Sequence, residues 1–394
     1  MVTYWIILLA IAVGVVFIAE KLKQPYPTFL VVIGLIIGLV PIPALGEIKS
    51  YAANNDTVFQ TTVIFIFLSA LLGDAALKLP FDELKRNKKS ISLLAFLGTL
   101  LTFLLVAAST YFFLNLSLQE SLIFGALMAA TDPVSVLSIF KSMGLNKRLS
   151  IVVEGESLAN DGVAVVLFQI AVVTTALSLT GTLNALLEFL KVVSGGILIG
   201  GVFGLLASRI TSKIDHYLVE TGLSMVLFYG TFQLAEHFDV SGVISVVVGG
   251  VILGTYGRNV GMSDLTHEKV NSFWETIAFL SNALIFLLVG LEVSRIDFLD
   301  KGWLIVGSIL IVLLARFLAV YISLAFDKSI PTSWKPIISW GGLKGSLSIA
   351  LVLGITPEFE GKNLLLAMTF SNVVFSLLIQ GTTLKKLVSF LNVK

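Results

Sequence analysis

The chain has 394 residues, of which 56% are hydrophobic and only 13% charged, with a mean hydropathy of +0.97. Soluble domains carry about 25% charged residues, so a water-soluble fold is excluded and lipid must solvate much of the surface. The formal net charge of +1 names no partner, and the absence of cysteine excludes disulfides, thiolate metal sites and cysteine nucleophiles.

A spanning helix needs about 20 mostly apolar residues. Thirteen stretches qualify in chain order: 2–19, 27–45, 57–77, 90–114, 119–140, 149–179, 184–208, 217–236, 240–257, 270–293, 302–326, 334–355 and 363–384. The first has no positive region ahead of it, with Lys21 and Lys23 following instead, so it reads as a retained span rather than a cleaved signal. The connections are short, and residues 1–394 read as a single all-α polytopic membrane domain.

The basic residues test this parsing. With alternating spans, nineteen lysines and arginines fall on the side of the C-terminus and five on the other. The positive-inside rule then places the N-terminus outside and the C-terminus in the cytoplasm. Two cations, Arg316 and Lys344, lie within spans. The three histidines, His216, His237 and His267, fall near expected helix ends and read as surface residues.

A charge at mid-bilayer costs about 2.5–3.5 kcal/mol on insertion scales, so each one needs a reason. The third span ends at Asp74. The fifth carries Thr131-Asp132-Pro133, and the sixth carries Glu154, Glu156 and Asp161. Pro133 has no N–H and disfavours helical geometry at Asp132, which predicts a broken helix with a carboxylate beside free carbonyls. The twelfth span has its own weak point in Gly341-Gly342 and Gly345, around Lys344. Irregular backbone at that depth is tolerated only facing protein or a water-filled cavity. The two interrupted spans are seven apart, so they run in opposite directions, and paired broken helices in inverted halves mark a transporter site. The plainer alternative is two kinks in packed helices.

On the sixth span Ser157 and Asp161 share a face, with Glu156 and Asn160 on the neighbouring stripe. A hard cation such as Na+ wants oxygen ligands. Asp132, Asp161, Ser157 and the unwound carbonyls near Thr131 supply them. A carboxylate in such a site holds a proton or an alkali ion, so competition for one site presented to alternate sides gives exchange. The alternative for this set is a buried polar network that fastens helices together. No GxxxxGK[ST] motif is present, so no nucleotide is expected as energy source.

At these residues the chain resembles the NhaP/NHE branch of the monovalent cation:proton antiporters. The resemblance rests on TDPVSV at 131–136, GESLANDGVAVVLF at 155–168, FLLVGLEV at 286–293, ARFLAVY at 315–321 and GGLKGSLSIAL at 341–351. It implies two inverted six-helix repeats with crossing unwound helices, and a homodimer. It also implies an exchange core from spans around 57–179 and 270–384, with dimerisation left to the remaining spans. Carried over, Asp161 is the main cation and proton carboxylate. Asp132, Ser157 and Thr131 complete the Na+ site, and Glu156 and Asn160 support it. The Asn160-Asp161 pair is typical of electroneutral members. The resemblance implies no cofactor, no nucleic acid and no enzymatic activity, only transported Na+ or Li+ and H+ across the cell membrane.

One position departs from the family, which usually has arginine where Lys344 stands, paired with the acid equivalent to Glu156. Carried over, the family pairing would join Lys344 to Glu156, but lysine keeps the charge and loses the planar fork, which leaves that pair open. Arg316 would then pair with another buried acid, with Asp74 the candidate and a plain helix-end role near the cytoplasmic face the alternative for Asp74. The rival readings are potassium/proton or electrogenic exchange on the same fold, a channel, a membrane scaffold, and an intramembrane aspartyl protease suggested by LLGD at 71–74. The protease reading lacks the first glycine of GxGD and any YD partner motif.

Overall fold

A computed structural model describes residues 2–22, 26–40, 62–78, 85–173, 179–293, 298–356 and 358–393, and every regular element among them is helical. Each of the thirteen expected stretches contains helix. Parts of three stretches, 41–45, 57–61 and 174–178, lie outside the described residues, as do Lys23, Lys49, Arg295 and Lys394. Among the described residues seven helices are long and apolar enough to cross a membrane, including Lys88–Leu114, Gly302–Phe326 and Lys362–Phe390. The sixth span is helical over Lys147–Val173 and the following helix is described from Leu179, with the stretch between them outside the described residues.

Local chemistry sets the ends of the helices. The fourth span closes on Asn115 in the left-handed region, φ 54°, a conformation asparagine tolerates at a helix end. The fifth opens on a capping box: the Ser117 hydroxyl accepts from the Glu120 backbone at 3.2 Å, and Glu120 accepts from the Ser117 N–H at 2.8 Å.

The chain divides into two compact units. The first gathers residues 1–60, 87–164 and 282–394. Its core includes Val136, Phe140, Val152, Val320, Ile337 and Leu384, all buried, drawn from the fifth, sixth, eleventh, twelfth and thirteenth spans. The second gathers residues 61–86 and 165–281. There Gly196 and Gly200 meet the Ser241 and Ser245 backbone so closely that a Cβ at either would collide. That is how helices associate when lipid is as apolar as the helix surface. Also in that unit, Trp274 packs against Phe228 with ring centroids 4.8 Å apart and planes tilted by 56°, and donates its indole N–H to the Ser224 hydroxyl at 2.8 Å.

Candidate functional site

Two interrupted spans of the first unit meet at their breaks. The fifth is helical over Leu118–Ala129 and again over Val134–Met143, with Ala130 extended between them at ψ 148°. The twelfth is helical over Trp334–Trp340 and Ser346–Leu353, with extended backbone at Gly345. The breaks predicted at Pro133 and at Gly341–Gly345 are therefore present. They are joined directly: the Asp132 N–H donates to the Leu343 carbonyl at 2.8 Å. The Ser348 hydroxyl donates to the Leu127 carbonyl at 2.7 Å.

Gly345 makes this approach possible, because a Cβ there would overlap the Asp132 side chain. Gly342 does the same for the Arg316 guanidinium, whose Nε would lie 2.5 Å from an added Cβ. The glycines of GGLKG thus serve close approach at two separate contacts.

Four orphan carbonyls end each half-helix that stops in the membrane. Lys344 answers the first break: its ammonium donates to the carbonyls of Met128 at 2.6 Å and Ala130 at 3.0 Å. A cation suits the negative end of a helix dipole. At the second break Gln380 Nε2 donates to the Trp340 carbonyl at 3.0 Å. The opposite polarity appears at the start of Val134–Met143, where Asp132 Oδ1 accepts from the Val134 N–H at 2.9 Å.

The sixth span supplies the other wall. Thr131 and Ser157 share a hydroxyl–hydroxyl bond of 2.9 Å. The Asn160 amide donates to Thr131 Oγ1 at 2.7 Å and to Glu156 Oε1 at 2.8 Å. Glu156 is held by Arg316 through two hydrogen bonds of 3.0 Å. All five side chains are buried. The chain Arg316–Glu156–Asn160–Thr131–Ser157 fixes the fifth-span break to the sixth span. Asp161 follows Asn160 directly, and its charged neighbours are Asp132, Glu156 and Lys344.

Two carboxylate oxygens of the site stand outside this network, as does Arg316 Nε. Asp132 Oδ2 and Asp161 Oδ1 are buried and have no hydrogen-bond partner. Buried polar atoms are nearly always satisfied, so exceptions call for a reason.

The structure thus brings Thr131, Asp132, Glu156, Ser157, Asn160, Asp161, Arg316 and Lys344 together within one unit. It corrects two expected pairings. Glu156 is bound by Arg316 and not by Lys344, because the guanidinium fork matches both carboxylate oxygens while the ammonium is engaged by Met128 and Ala130. Arg316 therefore needs no partner in Asp74. Asp74 belongs to the second unit, where Lys78 one helical turn on lies 2.9 Å away and also reaches Glu275 at 3.4 Å. Of the histidines, His216 and His237 are exposed and His267 half-buried.

Sequence reasoning missed Ser348, Ser376 and Gln380. Ser376 accepts from the Lys344 N–H at 3.1 Å. Ser376 and Gln380 bound a π-helical turn in the thirteenth span, a local distortion frequent at functional sites. The available signal was their spacing of four, which puts two polar side chains on one face of an apolar helix.

Known proteins resemble this chain over most of its length. The family model described as sodium/hydrogen exchanger, transmembrane, matches residues 6–390. The Na(+)/H(+) antiporter NhaG of Bacillus atrophaeus is 51% identical over 387 residues, covering 97% of this chain and 74% of that protein. The Na(+)/H(+) antiporter NhaH of Halobacillus aidingensis is 47% identical, covering 97% of this chain and 96% of that protein. Among solved structures, the sodium proton antiporter MjNhaP1 of Methanocaldococcus jannaschii at pH 8 superposes with a TM-score of 0.82 at 23% identity. The match covers 99% of this chain and 98% of that one, and shows a common fold.

Proposed function

Because this chain belongs to the sodium/hydrogen exchanger family, we propose that it is a secondary transporter that exchanges Na+ for H+, one for one, across the cell membrane. The observation that carries this reading is the pair of unpartnered buried carboxylate oxygens, Asp132 Oδ2 and Asp161 Oδ1. They belong to residues adjacent to the hydrogen-bonded Thr131–Ser157–Asn160 cluster. Carboxylate and hydroxyl oxygens are the ligands a hard cation takes. In this reading Asp161 and Asp132 bind the ion, Ser157 and Thr131 add hydroxyl oxygen, and Asn160, Glu156, Arg316 and Lys344 hold the frame.

Formal charge supports the stoichiometry. Asp132, Asp161 and Glu156 carry three negative charges, and Arg316 and Lys344 two positive ones. One negative charge remains, which a single Na+ or a single H+ neutralises. Asn160 contributes no titratable proton and is satisfied as a neutral amide by Thr131 and Glu156. The two cargo ions then compete for one site, and alternating access follows from presenting that site to each side in turn. The crossing half-helices support this, since such breaks mark the fixed site about which transporter halves rock.

The exchange core is assigned to the spans around 57–179 and 270–384, which contain every residue of the site. Dimerisation as a homodimer is assigned to the remaining spans. The N-terminus lies outside and the C-terminus in the cytoplasm, as the distribution of basic residues favours.

The test is proton flux in reconstituted vesicles driven by Na+, Li+ or K+ at several pH values. Na+-driven flux is expected, with apparent Na+ affinity weakening as pH falls. It should show no dependence on membrane potential, although each net charge moved would couple to about 2.3 kcal/mol per 100 mV. Asp161→Ala should abolish it. Undiminished flux in that variant, or affinity indifferent to pH, overturns the shared-site reading.

A further inference from the structure

A groove of about 510 Å³ lies between the eleventh, twelfth and thirteenth spans, lined by Leu313, Phe317, Pro336, Trp340, Thr383 and Leu387 among others. All belong to the first unit. The eleventh-span wall opens outward: Leu314 is 65% exposed and Phe317 45%. Both sit in the helix Gly302–Phe326, long and apolar enough to cross a membrane, so acyl chains surround the opening. The volume is that of a ligand pocket, and the lining is apolar with few polar groups.

One end of the groove is basic. Lys335 is one turn from Ser339, which lines the groove, and the Ser339 hydroxyl donates to the Lys335 carbonyl at 2.8 Å. Lys386 stands three residues from Thr383 on the thirteenth span, hence on the same face. The eleventh span leads to the same end. Leu313, Phe317 and Tyr321 recur every four residues, Phe317 stacks on Tyr321 at 4.4 Å between centroids, and the Lys335 ammonium lies 5.6 Å from the Tyr321 ring centroid. Apolar slot and cationic rim are therefore continuous, an arrangement that fits a molecule with an acyl chain and an anionic head.

We propose that this groove binds an anionic phospholipid, its acyl chain lying along Leu313, Phe317 and Trp340 and its headgroup resting on Lys335 and Lys386. The bound chain would press on Trp340, the last residue of its half-helix. The Trp340 indole donates to the Thr383 hydroxyl at 2.9 Å, and its carbonyl is held by Gln380. Phe317, on the other wall, is next in sequence to Arg316. The lipid thus braces the twelfth-span break from the membrane side.

The experiment uses the full chain with Trp5, Trp303 and Trp334 replaced by phenylalanine, which leaves Trp340 and the buried Trp274. It is reconstituted in phosphatidylcholine bilayers containing dibrominated phosphatidylglycerol or dibrominated phosphatidylcholine, and tryptophan quenching is followed against mole fraction. Phosphatidylglycerol should reach half-maximal quenching at about thirtyfold lower mole fraction, the preference two lysines at a membrane surface confer. The preference should collapse in K335Q/K386Q and shrink at high salt in the unaltered lysine background. Ser339→Phe, which fills the groove, should remove the excess quenching. Equal quenching by the two lipids, or a preference that survives both the lysine substitutions and high salt, overturns the assignment. Should S339F fail to fold, the lysine variant and the salt series decide alone.

Discussion

The Arg316 guanidinium grips the Glu156 carboxylate through two parallel hydrogen bonds of 3.0 Å, although 160 residues separate them. The pair is buried, so neither member can be removed without stranding the other. Removing one partner of a buried pair costs about 3–5 kcal/mol. Arg316→Ala is therefore expected to lower thermal stability in detergent by that order. R316L/E156L, which strands no charge, should recover most of the loss. Equal destabilisation in the single and double variants would show that the pair does not act as a unit.

Lys344 tests a different link, the closure of a half-helix. Its ammonium serves two carbonyls that have no helical partner beyond the Pro133 break. Lys344→Met leaves them unsatisfied, and a stranded buried acceptor costs about 1–3 kcal/mol. The variant should unfold earlier in detergent. Its amide exchange should also rise at residues 128–131, the end of the first half-helix, ahead of the rest of the fifth span. Uniform exchange across that span would contradict local fraying.

Gly345→Ala tests the crossing itself. A methyl group there overlaps Asp132, and overpacking a tight contact costs about 1–3 kcal/mol. Because the displaced group is the candidate ion ligand, Na+-driven flux should fall far more than the yield of folded, membrane-inserted protein. Normal flux in G345A would mean that Asp132 need not hold its observed position.

Asp327 lies just beyond the eleventh span and accepts hydrogen bonds from the Ser90 hydroxyl and, at 3.0 Å, from the Ser329 N–H. Burial pushes its carboxyl up, but the bonds from Ser90 and Ser329 together hold it below its ordinary value of 3.8. A carboxylate whose folded-state pKa is depressed contributes stability above the unfolded pKa, and that contribution is lost as pH falls through the lower folded value. Asp327→Ala should therefore be less stable than the parent at pH 7, with the difference closing as pH drops below about 4. A difference unchanged by pH would show that the carboxylate charge is not what stabilises this corner.

Much of the site was legible because a charge in an apolar span is conspicuous. Asp132, Glu156, Asp161, Arg316 and Lys344 each stand out against hydropathy, and Pro133 and Gly341–Gly345 mark the breaks by backbone chemistry alone. The choice of partner was not legible. Two buried cations and several acids permit more than one pairing, and the family habit of arginine at the Lys344 position favoured Lys344 with Glu156. Ser348, Ser376 and Gln380 stayed hidden for another reason. A serine in a membrane helix usually bonds back to its own preceding turn, as Ser371 does to Ala367 at 2.6 Å.

By itself, the sequence determined that this is a helical membrane protein, where its helices break and which residue types meet in the bilayer. Those follow from hydropathy, from the missing N–H of proline and from the high cost of a charge in hydrocarbon. Only the tertiary structure decided that Arg316 holds Glu156, that Lys344 closes the half-helix ending at Ala129, and that Asp132 Oδ2 and Asp161 Oδ1 are left without partners. Those depend on which atoms come within 3 Å of each other across spans far apart in the chain, a matter of packing that no local pattern encodes.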